Sequence, residues 1–590
     1  MTQFLSLLAL SGLVPLALAD SGHGHGGHAD NPMGGGAHAP AGNDAKPDPD
    51  SYPLSYFALA DHAGIIYAHI AIMVIAWVFL LPVSVMLSLA RSRYTLALQF
   101  VFLAANALGV LLSMIYNAKT PDLYPNNAHP RVGWVATCVI TTQVLVGLLG
   151  RIAGHWRKRP AADYGNGAEH HAFIPVPTAS VEDQRRLDEI RFSSPYRPSN
   201  DSGQGTELST ESGQTSPRYS DARKEYADAE DDDGIEDGLP MPMPSENSRG
   251  TSVLRRMSGL ISPRVWRWLM IAYDVVDRTI LFLGFIAFCL GIVTFGRFFE
   301  GQGIFSGLAH WIKGGVFFCF GIFTLGRWSG SFGELGWAWN VRPKQTHGKW
   351  RMSAEFFESF LIFFYGATNV MLEHLGNWGG EWRAQDFEHV SITILFIGGG
   401  MFGMLIESTR VRDLLNTTVF EAAVTAPERP YDQEEGKDNP LQAPRQYEFS
   451  INPIPALVIL LLGFMMSGHE QGSMISSMIH KQWGELLAGA AVARGLTYFL
   501  LYLKPPRSVL PSRPPTELLT SFGLIAGSIL LMASSSDTVA GMEHYNLNGM
   551  FMYNVTLGLV GAMMAWVIIV LAIKGWAVRK ESPVRFHIRQ

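Results

Sequence analysis

The chain has 590 residues, of which 48% are hydrophobic and 16% are charged, and its formal net charge is −6. Soluble globular chains carry about 25% charged residues, so the deficit favours a protein that lies largely in lipid. No basic stripe is interleaved with aromatic residues, which argues against nucleic acid as a ligand. The three cysteines, Cys138, Cys289 and Cys319, fall in apolar runs, so no structural disulfide is expected.

The N-terminus, residues 1–19, has the features of a cleaved signal peptide. An apolar stretch from Phe4 to Leu16 is followed by Ala17-Leu18-Ala19, which matches an A-x-A cleavage site. Residues 20–60 are predicted to be a disordered lumenal segment, because their first half is rich in Gly and His and poor in large apolar side chains. Such a His-rich tract is either a solvated tail or a loose metal chelator.

Eleven apolar runs then follow, and each of the first three is long enough to cross a hydrocarbon core of about 30 Å. Three precede a polar segment and eight follow it, at residues 63–89, 95–116, 132–149, 268–295, 305–325, 354–372, 390–406, 454–466, 475–503, 518–532 and 550–573. The predicted fold class is all-α, a polytopic membrane protein with about eleven transmembrane helices in two bundles. A disordered linker connects the bundles.

The linker, residues 156–263, is rich in Ser, Pro and charged residues, so it is predicted to be disordered. Lys and Arg favour cytosolic loops, and they gather at the turns that share a side with the linker, as at Arg151 and Lys574. The linker and the tail, residues 581–590, are therefore predicted to be cytosolic. The mature N-terminus is then lumenal or extracellular, in a membrane of the secretory pathway, and the Asn416 glycosylation sequon is cytosolic and unused.

Two partners follow from these features. One is the lipid bilayer itself. The other is a kinase acting on the linker, since Arg255-Arg256-Met257-Ser258 has the form of a basophilic phosphorylation site.

The most specific pattern lies in the first and third predicted helices. The first contains His69, Met73, Ala76-Trp77 and Pro82, and the third contains His129, Gly133 and Gln143. Because both helices run in the same direction, both histidines are expected near the lumenal membrane face. Two imidazoles at one depth on neighbouring helices can coordinate a haem iron axially.

These spacings resemble the cytochrome b-561 family over about the first quarter of the chain. The resemblance implies a b-561-like three-helix domain at residues 61–155, with His69 and His129 as ligands of one b-type haem. Members of that family bind two haems through four histidines, but no His stands near Thr95, and the linker replaces the helix that would carry the fourth. One lumenal haem is therefore the most that the resemblance implies. Alternatively, the fold persists without haem and both histidines bond locally.

The layout of the whole chain resembles a fungal family of YTP-type membrane proteins. The resemblance rests on Met371-Leu372-Glu373-His374, on residues 386–399 and on residues 463–484. The resemblance implies a YTP-like multi-spanning domain at residues 264–580. It indicates the architecture of the chain and little about its chemical activity.

Imidazoles and carboxylates collect at the predicted lumenal ends of the C-terminal helices, while Lys and Arg dominate the opposite ends. The candidate metal ligands are His374, Asp386, His389, His469, His480, His544, Glu373 and Glu543. Such a set suits Zn, Fe or Cu, with some carboxylates orienting the imidazoles. It could equally form a proton relay, or only bond the loops.

Charged residues also fall inside the apolar runs, and Arg494 is the obvious cation to pair across helices with acids such as Glu358. Three functional hypotheses remain. The first is a redox-related membrane protein with one b-type haem and a lumenal metal or proton site. The second is a metal-ion or proton transporter or receptor without haem, and the third is a non-enzymatic membrane scaffold. No Ser–His–Asp order or P-loop supports a hydrolase or an ATPase, and whether the protein is an enzyme stays open.

Overall fold

The computed structural model describes residues 52–152, 262–301, 303–343, 352–369, 382, 384–425, 444, 447, 449–468 and 471–582. Every regular element in these residues is helical, so the predicted all-α class is confirmed. The predicted signal peptide, nearly all of the His/Gly-rich segment, the linker up to residue 261 and the tail from residue 583 lie outside the described residues.

Thirteen α-helices and one 3₁₀-helix, Gly333–Leu335, occur in the described residues. The α-helices are α1 (Ala63–Leu89, with a π-helical segment at Ile75–Leu80), α2 (Thr95–Lys119), α3 (His129–Ile152), α4 (Pro263–Gly296), α5 (Gly303–Ser329), α6 (Ala354–Asn369), α7 (Ala384–Glu407), α8 (Thr409–Thr425), α9 (Ile454–Ser467), α10 (Met474–Leu503), α11 (Pro515–Ala533), α12 (Ser536–His544) and α13 (Gly549–Glu581).

Each of the eleven predicted segments falls on a helix, and nine helices in the described residues are long and apolar enough to cross a membrane. The chain is therefore a multi-pass membrane protein, although the count of eleven spans is not confirmed. Helix α9 is apolar but has 14 residues, which correspond to about 21 Å and fall short of a bilayer core. Helix α6 ends at Asn369, where the described residues also stop.

The first four helices form one bundle. Helix α1 packs against α2 and α4, and α3 packs against the same two helices, so α1 and α3 lie on a diagonal. The N-terminal domain was predicted to contain three helices, but α4, which follows the linker, completes it as a fourth. The cause is burial, since Ile280 of α4 packs with Leu81 of α1, Phe102 of α2 and Ile140 of α3 in one apolar cluster.

The second bundle contains the remaining long helices. Neighbours pack in the order α5, α11, α10, α9, α7, α6, and α13 contacts α1 as well as α10 and α11. Its centre is apolar, with Ile479, Leu487, Leu524 and Leu530 fully buried. Small residues let the helices approach, because a Cβ on Gly463 or on Gly484 would come within 2.6 Å of the carbonyl oxygen of the other glycine.

The loops meet at two poles. At the histidine pole, segments 52–62, 120–128, 297–301 and 534–548 converge, as in the 2.7 Å bond that the Tyr124 hydroxyl donates to the Phe298 carbonyl. Burial, followed by the nearby Glu300 and Asp537 charges, raises the pKa of Tyr124, so its hydroxyl keeps the proton that it donates. At the arginine pole, segments 90–94, 330–343, 504–514 and 577–582 converge, as in the 2.8 Å bond from the Val341 N–H to the Ser508 carbonyl. Which pole faces the cytosol stays a prediction.

Candidate functional site

The four-helix bundle brings the two predicted haem ligands together near the histidine pole. His69 lies two turns into α1 and His129 is the first residue of α3, and these are the two diagonal helices. His69 is 8% exposed, and His129 is half-buried. Two segments far apart in the sequence therefore place one imidazole each in the same part of the bundle.

Both imidazoles are held by backbone carbonyls of the other two helices. Nδ1 of His69 lies 2.8 Å from the Gly109 oxygen on α2, and Nδ1 of His129 lies 3.2 Å from the Ala287 oxygen on α4. A carbonyl oxygen only accepts hydrogen bonds, so Nδ1 carries the proton in each neutral ring and Nε2 keeps a lone pair. No hydrogen bond to either Nε2 occurs among the described residues.

Glycines border this pair of rings. A Cβ on Gly291 of α4 would lie 3.2 Å from Cε1 of His129, and a Cβ on Gly109 would lie 2.9 Å from the Met73 sulfur. Gly133, one turn after His129 on α3, has no atom within 4 Å of its Cβ position. The glycines thus allow close packing around the rings and leave open space beside His129. Two imidazoles whose Nε2 atoms keep a lone pair are a donor set that suits a haem iron.

A second polar layer lies about two turns deeper in the bundle. The Trp77 indole N–H donates a 2.9 Å bond to the Asn106 side-chain oxygen, and the Asn106 amide donates a 3.1 Å bond to the Thr137 hydroxyl. The layer therefore links α1, α2 and α3 through side chains. Gly284 of α4 completes it, because a Cβ there would come within 2.8 Å of the Trp77 ring.

A third layer lies towards the arginine pole. The Asp277 carboxylate accepts 2.5 Å bonds from the Ser88 hydroxyl and from the Gln143 amide. The Tyr273 hydroxyl lies 2.9 Å from the Ser88 oxygen and accepts a 3.3 Å bond from the Gln99 amide. These side chains bond one another across all four helices, so packed protein occupies this level of the bundle.

The predicted metal ligands are only partly placed by the structure. His374, Glu373 and His469 lie outside the described residues, as does the Asp386 side chain. Nδ1 of His480 lies 2.8 Å from the Ser476 carbonyl oxygen, and the centroid of the His480 ring lies 6.1 Å from that of the His310 ring on α5. The described residues contain no group of three or more His, Cys, Asp or Glu placed to hold a metal ion. The metal site therefore stays a prediction.

The remaining members of the set lie on α7 and α12. His389 is half-buried near the start of α7. His544 stacks on Tyr52 with 4.5 Å between ring centroids, and Glu543, the preceding residue, is half-buried. Burial, followed by the Tyr545 and Asp537 charges, raises the pKa of Tyr52, so the ring against His544 is a neutral phenol at physiological pH.

The second bundle confirms the prediction that Arg494 pairs across helices, since its guanidinium lies 3.2 Å from the Glu358 carboxylate. Sequence reasoning missed Arg327 and Glu517, which belong to the same buried cluster. Both lie just beyond the apolar runs at residues 305–325 and 518–532, so each looked like part of a loop. A lone charge within one turn of an apolar run was the available signal. Glu485 also falls inside an apolar run, at residues 475–503, but its side chain is exposed and lies 3.9 Å from Lys481.

The chain is similar to known fungal proteins over most of its length. It is 34% identical over 523 residues to an uncharacterised membrane protein of Schizosaccharomyces pombe, and the match covers 86% of this chain and 94% of that protein. Residues 283–575 match the family described as Protein YTP1-like, C-terminal, and residues 50–153 match a domain of unknown function. The chain belongs to the YTP1-like membrane proteins.

Two further relatives come from Saccharomyces cerevisiae. An uncharacterised membrane protein is 30% identical over 561 residues, covering 88% of this chain and 83% of that protein, and Protein YTP1 is 22% identical over 198 residues, one third of each chain. No solved structure matches the chain. The two family matches end and begin on either side of the linker, and residues 263–282 of α4 lie between them.

Proposed function

We propose that this YTP1-like protein is a membrane redox protein in which His69 and His129 bind one b-type haem. The observation that carries the proposal is that both rings are held in the same way. Each Nδ1 is bonded to a backbone carbonyl, which leaves Nε2 as a metal ligand. A bis-histidine haem supplies one-electron transfer when it is bound. The cytochrome b-561-like spacing of the two helices is consistent with this reading.

The protein's own contribution would be orientation and exclusion of water. The carbonyls of Gly109 and Ala287 fix the ring planes and increase the basicity of Nε2, as such partners do at metal sites. The layer formed by Trp77, Asn106 and Thr137 closes the bundle beneath the rings with packed, bonded side chains. The third layer, around Asp277, fills the bundle towards the arginine pole with packed side chains. We therefore propose one haem and not two.

An absorption spectrum of the full-length protein, purified in detergent from a haem-replete host, tests the proposal. We expect the reduced form to show the split or broad α-band of bis-histidine coordination. His69→Ala and His129→Ala should each abolish that band, because one axial ligand does not hold a low-spin centre.

His62→Asn is the matched control. His62 is exposed one residue before α1 and has a φ of 55°, a conformation that Asn tolerates, so the band should be unchanged. A wild-type protein that is folded and haem-free contradicts the proposal. A band that survives both alanine substitutions contradicts it equally, since the haem would then lie elsewhere.

A metal or proton role for the histidine pole is the second candidate. The observation that favours it is the approach of His310 and His480, whose ring centroids lie 6.1 Å apart on α5 and α10. Two imidazoles at this spacing could serve as part of a metal site or as a proton relay. A membrane scaffold without a cofactor is the outcome if neither haem nor metal is found.

A further inference from the structure

Five charged side chains are buried together where α5, α6, α10 and α11 meet, near the arginine pole. They are Arg327, Glu355, Glu358, Arg494 and Glu517, and none is more than 3% exposed. None belongs to the four-helix bundle or to the histidine pole. The cluster is thus a separate site, and the proposed haem does not account for it.

Each guanidinium bridges two carboxylates. The Arg327 nitrogens lie 2.7 Å from Glu358 and 2.9 Å from Glu355. The Arg494 nitrogens lie 3.2 Å from Glu358 and 2.9 Å from Glu517. Glu358 is therefore the centre of the cluster, and Glu355 and Glu517 lie at its two ends.

The cluster is covered by a strained turn of the segment 330–343. The Trp339 ring lies 4.2 Å from the Arg327 guanidinium carbon and 5.4 Å from that of Arg494. Trp339 has a φ of 55°, which is rare for a bulky residue and persists only where its surroundings enforce it. The Ser512 hydroxyl provides part of that constraint, through a 2.6 Å bond to the Trp339 carbonyl.

The charges do not balance. Two guanidinium groups face three carboxylates, and arginine keeps its proton in proteins, so one negative charge is in excess when all three acids are ionised. A buried carboxylate without a compensating cation is too costly to persist as an ion, so it takes up a proton instead.

Glu517 is the acid of the cluster whose carboxylate has no hydrogen bonds. Its 2.9 Å contact with Arg494 lacks hydrogen-bond geometry, and neither carboxylate oxygen of Glu517 has a hydrogen-bond partner among the described residues. A small cavity with room for about one water molecule lies beside Glu358, Arg494 and Thr520. The cluster therefore contains a fully buried acid whose ion pair is poorly aligned, and a cavity the size of about one water molecule borders its central acid.

We propose that this cluster is a proton-binding site that holds one exchangeable proton, shared among Glu355, Glu358 and Glu517. A metal cation fits less well, because Arg327 and Arg494 would repel it from the same carboxylates. The proton belongs to the coupled group and not to one residue, since the three acids share two cations. The ligand class is thus the proton itself, taken up on the arginine side of the second bundle.

The groups that face the three carboxylates come from every neighbouring element. Helix α5 supplies Arg327, α10 supplies Arg494 and the buried phenol of Tyr498, and α7 supplies Glu407, which interacts with Glu355. The segment 330–343 supplies the Trp339 ring, and α9 supplies apolar side chains to the cavity. Among the described ion pairs, no third cation reaches these acids.

Infrared spectroscopy of the full-length protein at neutral pH tests the site, through the C=O stretching band of a protonated carboxyl group. Glu355→Gln, Glu358→Gln and Glu517→Gln should each remove band intensity equal to one carboxyl group, because two ionised acids then balance two arginines. Because all three variants are expected to lose the same band intensity, the test remains decisive if one of them fails to fold. Arg327→Gln should instead add one protonated carboxyl.

Glu300→Gln is the control, because Glu300 lies in an exposed turn outside the membrane-spanning helices and should leave the band unchanged. Asp277→Asn in the same series isolates any contribution from the four-helix bundle. The proposal is overturned if the wild-type spectrum has no buried protonated carboxyl, or if the band persists undiminished in every folded Gln variant of the cluster.

Discussion

The indole N–H of Trp566 donates a 2.9 Å hydrogen bond to the carbonyl oxygen of Val78. That oxygen would ordinarily accept from the residue four positions later, but this residue is Pro82, which has no N–H. The π-helical segment Ile75–Leu80 lies in the same turn of α1. The last helix of the second bundle thus satisfies a backbone group that proline leaves open in the first bundle, and the contact joins the two bundles.

Trp566→Phe should lower the free energy of unfolding by about 1 kcal/mol, because the Val78 oxygen loses its donor in an apolar setting. Pro82→Ala supplies a backbone N–H for the same oxygen, so the cost of Trp566→Phe should be smaller in that background. Thermal unfolding of the four proteins in one detergent measures the difference. Equal costs in both backgrounds would mean that the indole acts through packing alone.

Gly133→Leu should abolish haem binding while the protein still folds. The position has open space beside His129, and a leucine there would occupy the space that the proposed haem needs. Haem content per purified chain is the measurement. Gly561→Leu is the control, because Gly561 is exposed on α13 and also has no atom within 4 Å of its Cβ position. Equal haem content in both variants would place the haem away from α3.

Arg494→Met should destabilise the second bundle strongly, by about 3–5 kcal/mol, because it leaves Glu358 and Glu517 with fewer compensating charges in a buried site. Glu300→Met is the comparison. Glu300 and Arg297 form an exposed pair at 3.0 Å outside the spanning helices, and such pairs contribute about 0–1 kcal/mol. Denaturation in detergent measures both variants, and similar losses would show that burial of the cluster is not what matters.

Asn416 tests the orientation of the membrane domain. It is exposed on α8 in an Asn-Thr-Thr sequon, so nothing in the structure shields it. If the arginine pole is cytosolic, as the distribution of Lys and Arg predicts, Asn416 should carry no glycan. The substitution Ala45→Thr creates a new sequon at Asn43 in the predicted lumenal segment, and this variant should gain one glycan that a glycosidase removes. If Asn416 alone carries a glycan, the orientation is opposite to the predicted one.

Metal content tests the histidine pole. A protein that lacks residues 20–50 after its signal peptide removes the His-rich tract, which could scavenge metal by itself. Elemental analysis should then find stoichiometric Zn, Fe or Cu that His389→Ala and His480→Ala reduce. If the truncated protein folds but contains no metal, these histidines only form hydrogen bonds with the loops.

The sequence by itself determined which segments are helical and apolar, because crossing a bilayer requires long runs without charge and every backbone group bonded within its own helix. All eleven predicted segments fall on helices, and the His69 and His129 spacing singled out the pair that the structure brings together. The residues quoted from the C-terminal half indicated the family that the comparisons confirm.

Only the tertiary structure decided which helices pack together and which charges meet. Helix α4 joins the first bundle across a linker of about a hundred residues, and a local pattern carries no information about a contact over that separation. Arg327 and Glu517 lie 190 positions apart at the edges of two apolar runs, and they become one buried cluster only because α5, α10 and α11 pack side by side. Apolar periodicity fixes the helices, whereas long-range packing fixes the sites between them.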